Sequence, residues 1–262
     1  MDGREAGAPS GMTPAAAGVG GEAFCALVWR VQQLAPVSKA ARDRLLALKG
    51  PDRRVARGET LIAQGEAHGR VHLIQSGWCA SARLLKDGRR QIHRIAIPGD
   101  FIMFDALLRG HSPVEIEALS EMRVAPLDEA GLKEAMATDQ RVFLALMAAV
   151  VRDESALIER LASLGRRSAE ERLAHFLVEL QDRLVGLGLT DADDGFDFPV
   201  TREQLADAMG LTTIHIYRTL RRLKDKRLCE LRDGRVRIFD LAGLSRLALY
   251  DPHVVDPPLN AG

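Results

Sequence analysis

The basic side chains of this chain are concentrated in one short segment towards its C-terminal end. Nine arginines and lysines and three acidic residues lie between positions 210 and 237, so this segment carries a net charge of +6 in a chain whose formal net charge is zero. The basic residues are Arg218, Arg221, Arg222, Lys224, Lys226, Arg227, Arg232, Arg235 and Arg237, and the acidic ones are Asp225, Glu230 and Asp233. Such cations bind phosphates, and arginine also bonds base edges. The segment therefore predicts binding to a nucleic acid.

Two short helices and a hairpin are predicted to position these charges. Thr201-Arg202-Glu203-Gln204 has the form of a capping box, which begins a helix, and Gly210 ends that helix. Thr212 can cap a second helix that runs to about Lys226. The turn Arg232-Asp233-Gly234 then lies between two short apolar runs and predicts a hairpin. Two capped helices joined by a glycine turn and followed by such a wing are typical of a winged helix-turn-helix that binds duplex DNA.

The spacing within the second helix separates a core face from an outward face. At about 100° per residue, Ile216, Leu220 and Leu223 fall together and are predicted to face the core. A basic helix alone would also fit an ordinary solvated surface, but the capped first helix, the turn and the wing favour DNA. The residues predicted to contact DNA are Thr201, Thr212, Thr213, Ile214, His215, Tyr217, Arg218, Arg221, Arg222 and Arg235.

Ile214 is a branched apolar residue on this outward face, where the free protein would expose it to water. It could be an ordinary exposed apolar side chain or a contact to a neighbouring domain. We expect instead that Ile214 meets a thymine methyl group, beside Tyr217 or His215 on the DNA backbone. A carboxylate at the same position would favour cytosine N4.

The region from Val55 to about Leu127 consists of short apolar runs divided by turn residues. Asp87-Gly88 between two such runs is a hairpin signal. Regular short strands with glycine turns indicate a sandwich or a roll. Upstream, residues 24–48 have a helical pattern interrupted by Pro36. The sequence therefore predicts a β-roll with flanking helices.

A long helix without glycine or proline is predicted over residues 138–164, and Gly165 is expected to end it. Its apolar stripe, with residues three, four and seven apart, comprises Leu144, Met147, Val151, Ile158 and Leu161. The stripe could pack on the roll, but its near-heptad spacing favours a second copy of the helix. Glu154 occupies one position of this seam, so the coiled coil would be imperfect. We expect a homodimer.

The bulk composition fits a globular protein of two domains, because the chain has 262 residues, of which 47% are hydrophobic. The three cysteines are scattered singly, which argues against a disulfide framework, a zinc site or an iron-sulfur cluster. No apolar run could span a membrane and no targeting signal is present, so we expect a cytoplasmic protein. The predicted division is a disordered tail (1–21), a sensor domain (22–137), a dimerisation helix (138–165), a DNA-binding domain (166–250) and a tail (251–262).

The order and spacing of several short motifs resemble the CRP/FNR family of regulators, named for the cyclic-AMP receptor protein and the fumarate-nitrate regulator. The resemblance extends from about residue 55 to 250, and its motifs are Gly58-Glu59-Thr60-Leu61-Ile62-Ala63-Gln64-Gly65-Glu66, Leu73-Ile74-Gln75-Ser76-Gly77, Pro98-Gly99-Asp100-Phe101-Ile102, Ser168-Ala169-Glu170-Glu171-Arg172-Leu173-Ala174, Thr201 to Ala206, and Gly210-Leu211-Thr212 to Leu220. It implies an α+β chain with a cyclic-nucleotide-binding-type β-roll, a long dimerisation helix and a winged helix-turn-helix. It also implies that Arg218 bonds a guanine in bidentate fashion and that RNA polymerase is a partner.

The chain departs from the family where its nucleotide-binding members hold their ligand. In those members the Gly-Asp-Phe-Ile turn leads into a Gly-Glu pair and later an Arg-Ser or Arg-Thr pair. Here Met103-Phe104 follows the turn, and the later pair is His111-Ser112 or Ser112-Pro113. The glutamate that holds the ribose and the arginine that holds the phosphate are therefore missing, which removes charge-assisted contacts. His111 could offer a weaker donor, which leaves a cyclic nucleotide as the less favoured alternative; we expect no resident cofactor and leave the effector unidentified.

A second reading is a haem or metal sensor, or a metalloenzyme of cupin type with an appended DNA-binding domain. Four histidines, His68, His72, His93 and His111, lie in the predicted roll. The His-x-His and Glu pattern of cupin sites is absent, and the spacing shows no ligand set. We therefore expect no metal and no enzymatic activity. A purely structural dimer would not explain the local charge of +6.

Overall fold

The computed structural model describes residues 38–108, 110–190 and 195–251. The predicted tail over 1–21, the helical pattern over 24–37 and all but the first residue of the predicted tail over 251–262 lie outside the described residues.

The described elements follow one another as a roll, two long helices and a small mixed domain. The helices are α1 (Lys39–Ala47), α2 (Glu129–Thr138), α3 (Gln140–Arg166), α4 (Ala169–Gly186), α5 (Arg202–Met209), α6 (Thr213–Asp225) and α7 (Leu241–Ala248), with a 3-10 helix at Phe104–Leu107. The strands are β1 (Arg53–Val55), β2 (Thr60–Ile62), β3 (His72–Ser76), β4 (Cys79–Leu84), β5 (Arg90–Ala96), β6 (Phe101–Ile102), β7 (Glu115–Ala118), β8 (Met122–Pro126), β9 (Phe196–Asp197), β10 (Cys229–Arg232) and β11 (Arg235–Ile238).

The N-terminal strands form two antiparallel four-stranded sheets. Their strand orders are β1-β8-β3-β6 and β2-β7-β4-β5. The predicted hairpin is present, because β4 and β5 pair from Leu84 and Arg90 outwards across the turn that contains Asp87-Gly88. Apolar residues from both sheets, such as Ile74 and Ile116, are fully buried between them. The predicted roll is confirmed.

The long helix α3 begins and ends at polar caps. The Asp139 side chain accepts hydrogen bonds from the backbone N–H groups of Arg141 and Val142. Contrary to expectation, Gly165 does not end the helix, and α3 continues to Arg166. One glycine within a helix costs only about 1 kcal/mol. The break comes where Arg167 takes an extended conformation and Ser168 caps α4 through a complete capping box.

A buried strand lies within the segment 186–199, whose glycines and aspartates predict a loop from the sequence alone. Phe196–Asp197 forms β9, which pairs with β11 to make a three-stranded sheet in the order β10-β11-β9. Phe196 and Phe198 are fully buried, whereas Asp197 between them is exposed. This alternation is typical of a strand, and the glycines and aspartates around it masked the signal. The α+β fold class is otherwise confirmed.

Candidate nucleic-acid interface

The first helix of the interface, α5, is fixed at both ends by local hydrogen bonds. The Thr201 hydroxyl accepts from the Gln204 backbone N–H at 3.2 Å, and the Gln204 side chain accepts from the Thr201 N–H at 2.9 Å. Gly210 takes a left-handed conformation at the other end, with φ of 61°. Leu205 and Met209 are buried. The capping box and the glycine turn therefore have the geometry that the sequence predicts.

The second helix, α6, presents its predicted faces to the core and to solvent. Thr212 caps it by accepting a hydrogen bond from the His215 backbone N–H at 3.3 Å. Ile216, Leu220 and Leu223 are buried. On the opposite side Ile214 is 61% and Tyr217 57% exposed. Thr213 is half-buried, and His215, Arg218, Arg221 and Arg222 are exposed.

The arginines of α6 differ in how they are held. Within the described residues, Arg218 makes neither a hydrogen bond nor an ion pair, and its guanidinium extends from the outward face. Arg221 lies 3.9 Å from Asp225 on the same helix, with both side chains largely exposed. An ion pair so exposed is weak and is screened by salt. Arg218 and Arg221 can therefore exchange solvent for DNA at little cost.

Arg222 is held against α4, where sequence reasoning placed no partner for it. Its guanidinium lies 3.3 Å from a carboxylate oxygen of Glu170, and Lys226 binds the other oxygen of the same carboxylate. The hydrogen bonds from Lys226 and Arg222 lower the pKa of Glu170 below its ordinary value of 4.5. Glu170 therefore offsets part of the positive charge at the C-terminal end of α6.

Arg202 is a residue of this surface that the sequence analysis missed. Its guanidinium carbon lies 4.2 Å from the centroid of the Tyr217 ring, so the first turn of α5 covers one face of the tyrosine. Cation–π contacts of this kind contribute about 0.5–1 kcal/mol at exposed sites. The stack shields one face of the Tyr217 ring, and it places a cation beside the N-terminus of α5. No local sequence pattern encodes it.

The wing is a tight hairpin backed by β9. Asp233 and Gly234 have φ angles of 51° and 73°, and they join β10 to β11 as a two-residue turn. Two consecutive left-handed residues match the right-handed twist of the flanking strands. Arg235 donates to Asp197 of β9 at 2.8 Å. This ion pair holds Arg235 half-buried at the tip of the wing, directly after the turn.

A cavity of about 330 Å³ lies apart from this surface, between the roll, α3 and α4. His93 and Ser81 line it and share a hydrogen bond of 3.0 Å. Burial, with smaller effects of Arg94 and Arg160, lowers the pKa of His93 to about 4, so the ring is neutral at pH 7. The lining also includes apolar side chains, namely Ile95, Ile102, Met103, Phe104, Val114, Ile116, Leu157, Phe176 and Leu180, and charged ones, namely Arg94, Asp100, Asp105, Arg152, Asp153, Arg160, Glu179 and Arg183.

The backbone at Met103 bears on what this cavity can hold. Met103 adopts a left-handed conformation with φ of 60°, which is unfavourable for a residue with a side chain. Family resemblance puts a Gly-Glu pair at positions 103 and 104, and glycine would adopt this conformation without strain. The thioether and the phenyl ring of Met103 and Phe104 instead fill the wall. Neither side chain can accept a hydrogen bond from a ribose hydroxyl as a carboxylate can.

The histidines of the roll do not gather into one site among the described residues. His68 and His72 stack with ring centroids 5.1 Å apart, while His93 bonds Ser81 at another place. Burial, followed by the charge of His68, lowers the pKa of His72 to about 4. Among the described residues, no three side chains of His, Cys, Asp or Glu form a group that could hold a metal ion.

Comparisons with known proteins agree with this geometry. Residues 52–139 match the cyclic nucleotide-binding domain, and residues 171–247 match the Crp-like helix-turn-helix domain. The nitrogen fixation regulation protein FixK of Rhizobium meliloti is 30% identical over 206 residues, covering 78% of this chain and 87% of that protein. The fumarate and nitrate reduction regulatory protein of Escherichia coli is 27% identical over 217 residues, covering 81% and 83% of the two chains.

Solved structures give the same result. FixK2 from Bradyrhizobium japonicum superposes with a TM-score of 0.68 at 26% identity, covering 77% of this chain and 98% of that one. A CRP-family transcriptional regulator from Thermus thermophilus superposes with a TM-score of 0.62 at 26% identity, covering 76% and 97%. Sequence, fold and the exposed basic helix agree, and the chain belongs to the CRP/FNR family of DNA-binding transcription regulators.

Proposed function

We propose that the chain acts as a homodimer that places two copies of α6 on a two-fold symmetric DNA site. The observation that carries this proposal is the apolar stripe of α3, all of which is exposed among the described residues except the half-buried Met147. Leu144, Val151, Ile158 and Leu161 are between 49% and 70% exposed, while Val142 on the opposite face is buried against the roll. An apolar stripe with near-heptad spacing is buried when it packs against a second copy of the same helix.

A second row of exposed apolar residues widens this seam. Phe143, Val150 and Leu157 are seven residues apart, adjacent to the first row, and each is exposed. Two rows on one side of a single helix form a continuous apolar patch, which is expected at an interface between subunits and is uncommon on a monomer surface. The patch supports association through α3.

The proposed contacts to DNA follow from exposure and from the partners of each side chain. Arg218 is the proposed base reader, because it is exposed and has no ion pair among the described residues. Ile214 is proposed to meet a thymine methyl group. Arg221 and the wing are proposed to contact phosphates. We also propose that Arg222 contributes less than Arg221, because Glu170 already binds it.

Further proposals concern the signal and the partners. The cavity between the roll, α3 and α4 is the proposed site of a small-molecule effector that sets dimer and DNA affinity. RNA polymerase is a proposed partner, since regulators of transcription act by recruiting or blocking it. Among the helices of the described residues, none has the length and apolar character needed to cross a membrane. We propose a cytoplasmic protein with no catalytic role.

The experiment that tests the dimer is sedimentation of the full chain, alone and with a duplex that it selects from a random pool. The wild type should sediment as a dimer, and a protein with Val151→Asp and Ile158→Asp should sediment as a monomer with much weaker binding. Ala130→Asp is a matched control, because it adds a charge at an exposed position of α2, outside the seam. A wild-type protein that remains monomeric with DNA would contradict the proposal.

A further inference from the structure

The helix α4 is enclosed on all sides, although it belongs to the DNA-binding half of the chain. Nine consecutive residues, Leu173 to Gln181, are buried, including the polar His175, Glu179 and Gln181. A helix at the surface of a free domain keeps one polar face in solvent. The buried side chains of α4 and those of the roll, such as Trp78 and Ile95, belong to one continuous apolar cluster. The DNA-binding domain is therefore docked on its own roll.

Five ion pairs among the described residues line this docked interface and join three parts of the fold. Arg183 of α4 donates to the carboxylate of Asp100, which follows β5, and also donates to the Ile95 carbonyl of β5 at 3.3 Å. The other four pairs are Arg94–Asp153 at 2.9 Å, which joins β5 to α3, Arg160–Glu179 at 3.6 Å, which joins α3 to α4, Arg183–Glu179 at 3.8 Å, within α4, and Arg94–Asp100 at 3.8 Å, within the roll. We call these six residues the clasp.

The pair between Asp100 and Arg183 is the most deeply buried part of the clasp. Asp100 is only 2% exposed, and its carboxylate also accepts a hydrogen bond from the Ile97 N–H at 3.0 Å. Burial alone would lower the pKa of Arg183, but the carboxylates of Asp100, Glu179 and Asp153 raise it above its ordinary value. Removing one partner of such a pair leaves an unpaired buried charge, which is strongly unfavourable. The pair therefore specifies one docked position.

The docked position also holds α5 and leaves the DNA-binding face open. Gln91 of β5 donates to the Asp207 carbonyl at 2.7 Å, and Gln204 donates to Glu117 of β7 at 3.0 Å. On the other side of this unit, Ile214 and Tyr217 remain more than half exposed. The roll thus supports the helix-turn-helix without covering the surface that meets DNA.

We propose that Asp100 and Arg183 are positioning residues for DNA binding, which hold each recognition helix α6 at the angle that a two-half-site DNA requires. This inference rests on the proposed dimer. A dimer gains affinity from its second half-site only when the geometry of the two domains permits simultaneous contact. A domain that leaves its docked position reduces the competent fraction of the protein and weakens binding in proportion. All six clasp residues line the 330 Å³ cavity, so an occupant of that cavity would meet the clasp directly.

The test uses full-length protein carrying Trp29→Phe, which leaves Trp78 as the sole tryptophan. Trp78 is buried, and its ring meets Phe198 of the DNA-binding domain edge-on at 6.2 Å, so its emission reports docking. Arg183→Gln breaks the clasp from the side of α4, and Arg183→Lys conserves the charge. Asp182→Asn is the matched control, because Asp182 is the neighbouring residue and bonds Tyr250 within the DNA-binding domain.

Each protein is titrated with a duplex that contains two half-sites and with one that contains a single half-site. Arg183→Gln should shift Trp78 emission to the red and weaken two-half-site binding about tenfold, with single-half-site binding within about twofold of wild type. Arg183→Lys should retain most of the affinity, and Asp182→Asn should match the wild type. Asp100→Asn should behave like Arg183→Gln; if Asp100→Asn fails to fold, Arg183→Gln decides.

Three results would overturn the inference. Unchanged two-half-site affinity in Arg183→Gln would show that docking does not position α6. An equal loss on both duplexes would place the defect within the DNA-binding domain itself. Unchanged Trp78 emission together with weakened binding would show that Arg183 acts without holding the domain. A wild-type protein that binds only single half-sites would instead contradict the proposed dimer, so the two failures are distinguishable.

Discussion

Glu170 and Arg222 lie 3.3 Å apart across the packing of α4 against α6, and Lys226 binds the same carboxylate. The carboxylate is mostly shielded by the protein, while both cations are more than half exposed. One acid in the first turn of α4 thereby orients the C-terminal end of the recognition helix. The contact links the position of α6 to a residue that never meets DNA in our account.

Replacing Glu170 with glutamine should make stability less dependent on acid pH. The hydrogen bonds from Lys226 and Arg222 lower the folded-state pKa of Glu170, so its contribution is present above the unfolded value of about 4.5 and is lost as pH falls through the folded value. The melting temperatures of wild type and Glu170→Gln, measured between pH 3 and pH 7, should therefore differ at pH 7 and become equal at acid pH. A constant difference across that range would contradict the assigned ion pair.

Replacing Arg218 with alanine should change both affinity and sequence preference. A bidentate contact to a base edge contributes about 1–3 kcal/mol of discrimination, so Arg218→Ala should lose that amount on the true site and accept other bases at one position. Arg221→Ala should weaken binding to all sequences alike. It should also lower, by about 1, the slope of log binding constant against log salt concentration. Binding titrations at several salt concentrations measure both effects. An Arg218→Ala protein with unaltered sequence preference would refute its role as the base reader.

The proposed contact between Ile214 and thymine can be tested by removing a single methyl group from the DNA. Deoxyuridine in place of the contacted thymine should weaken wild-type binding by about 0.8 kcal/mol, roughly fourfold, because one buried methyl group is lost. Ile214→Ala should bind the two duplexes with nearly equal affinity. Ile214→Glu should shift the preference at this base pair towards cytosine on the contacted strand. If wild type and Ile214→Ala respond equally to deoxyuridine, the methyl is contacted elsewhere.

Glu154 is predicted to weaken the α3 seam. It is exposed in line with Val151 and Ile158, and a parallel pair of α3 helices would bring two such carboxylates together. Glu154→Leu should tighten the dimer roughly tenfold or more, because an apolar side chain is buried in place of a charge. Glu154→Gln, which removes only the charge, should give part of this gain. Sedimentation equilibrium measures the dissociation constants, and weaker association of the leucine variant would place the seam elsewhere.

Local sequence signals were sufficient for the elements that carry the interface. Each of these signals acts on neighbours within four residues. The signals are the hydroxyls of Thr201 and Thr212, Gly210, and the Asp233-Gly234 turn. Their geometry could therefore be predicted without tertiary information. The spacing of Ile216, Leu220 and Leu223 likewise determined which face of α6 is buried.

The relationships that the sequence did not reveal join distant parts of the chain. Glu170 and Arg222 are 52 residues apart, and Asp100 and Arg183 are 83 apart. A charged residue in a sequence is ordinarily exposed to solvent. Only the packing of the DNA-binding domain on the roll reveals which charged residues are buried as ion pairs. The short strand β9 was missed because two phenylalanines lie in a segment rich in glycine and aspartate. Its partner strand, β11, is almost 40 residues further along.

Selection from a randomised duplex pool by the full-length wild-type protein tests the central claim most directly. A homodimer with one α6 per half-site should enrich an inverted repeat whose half-sites are centred about one helical turn, roughly 34 Å, apart. Each half-site should contain the guanine read by Arg218, and its enrichment should be lost with Arg218→Ala. Enrichment of a single unrepeated motif, or no enrichment above an unselected pool, would contradict a dimeric, sequence-specific DNA-binding regulator.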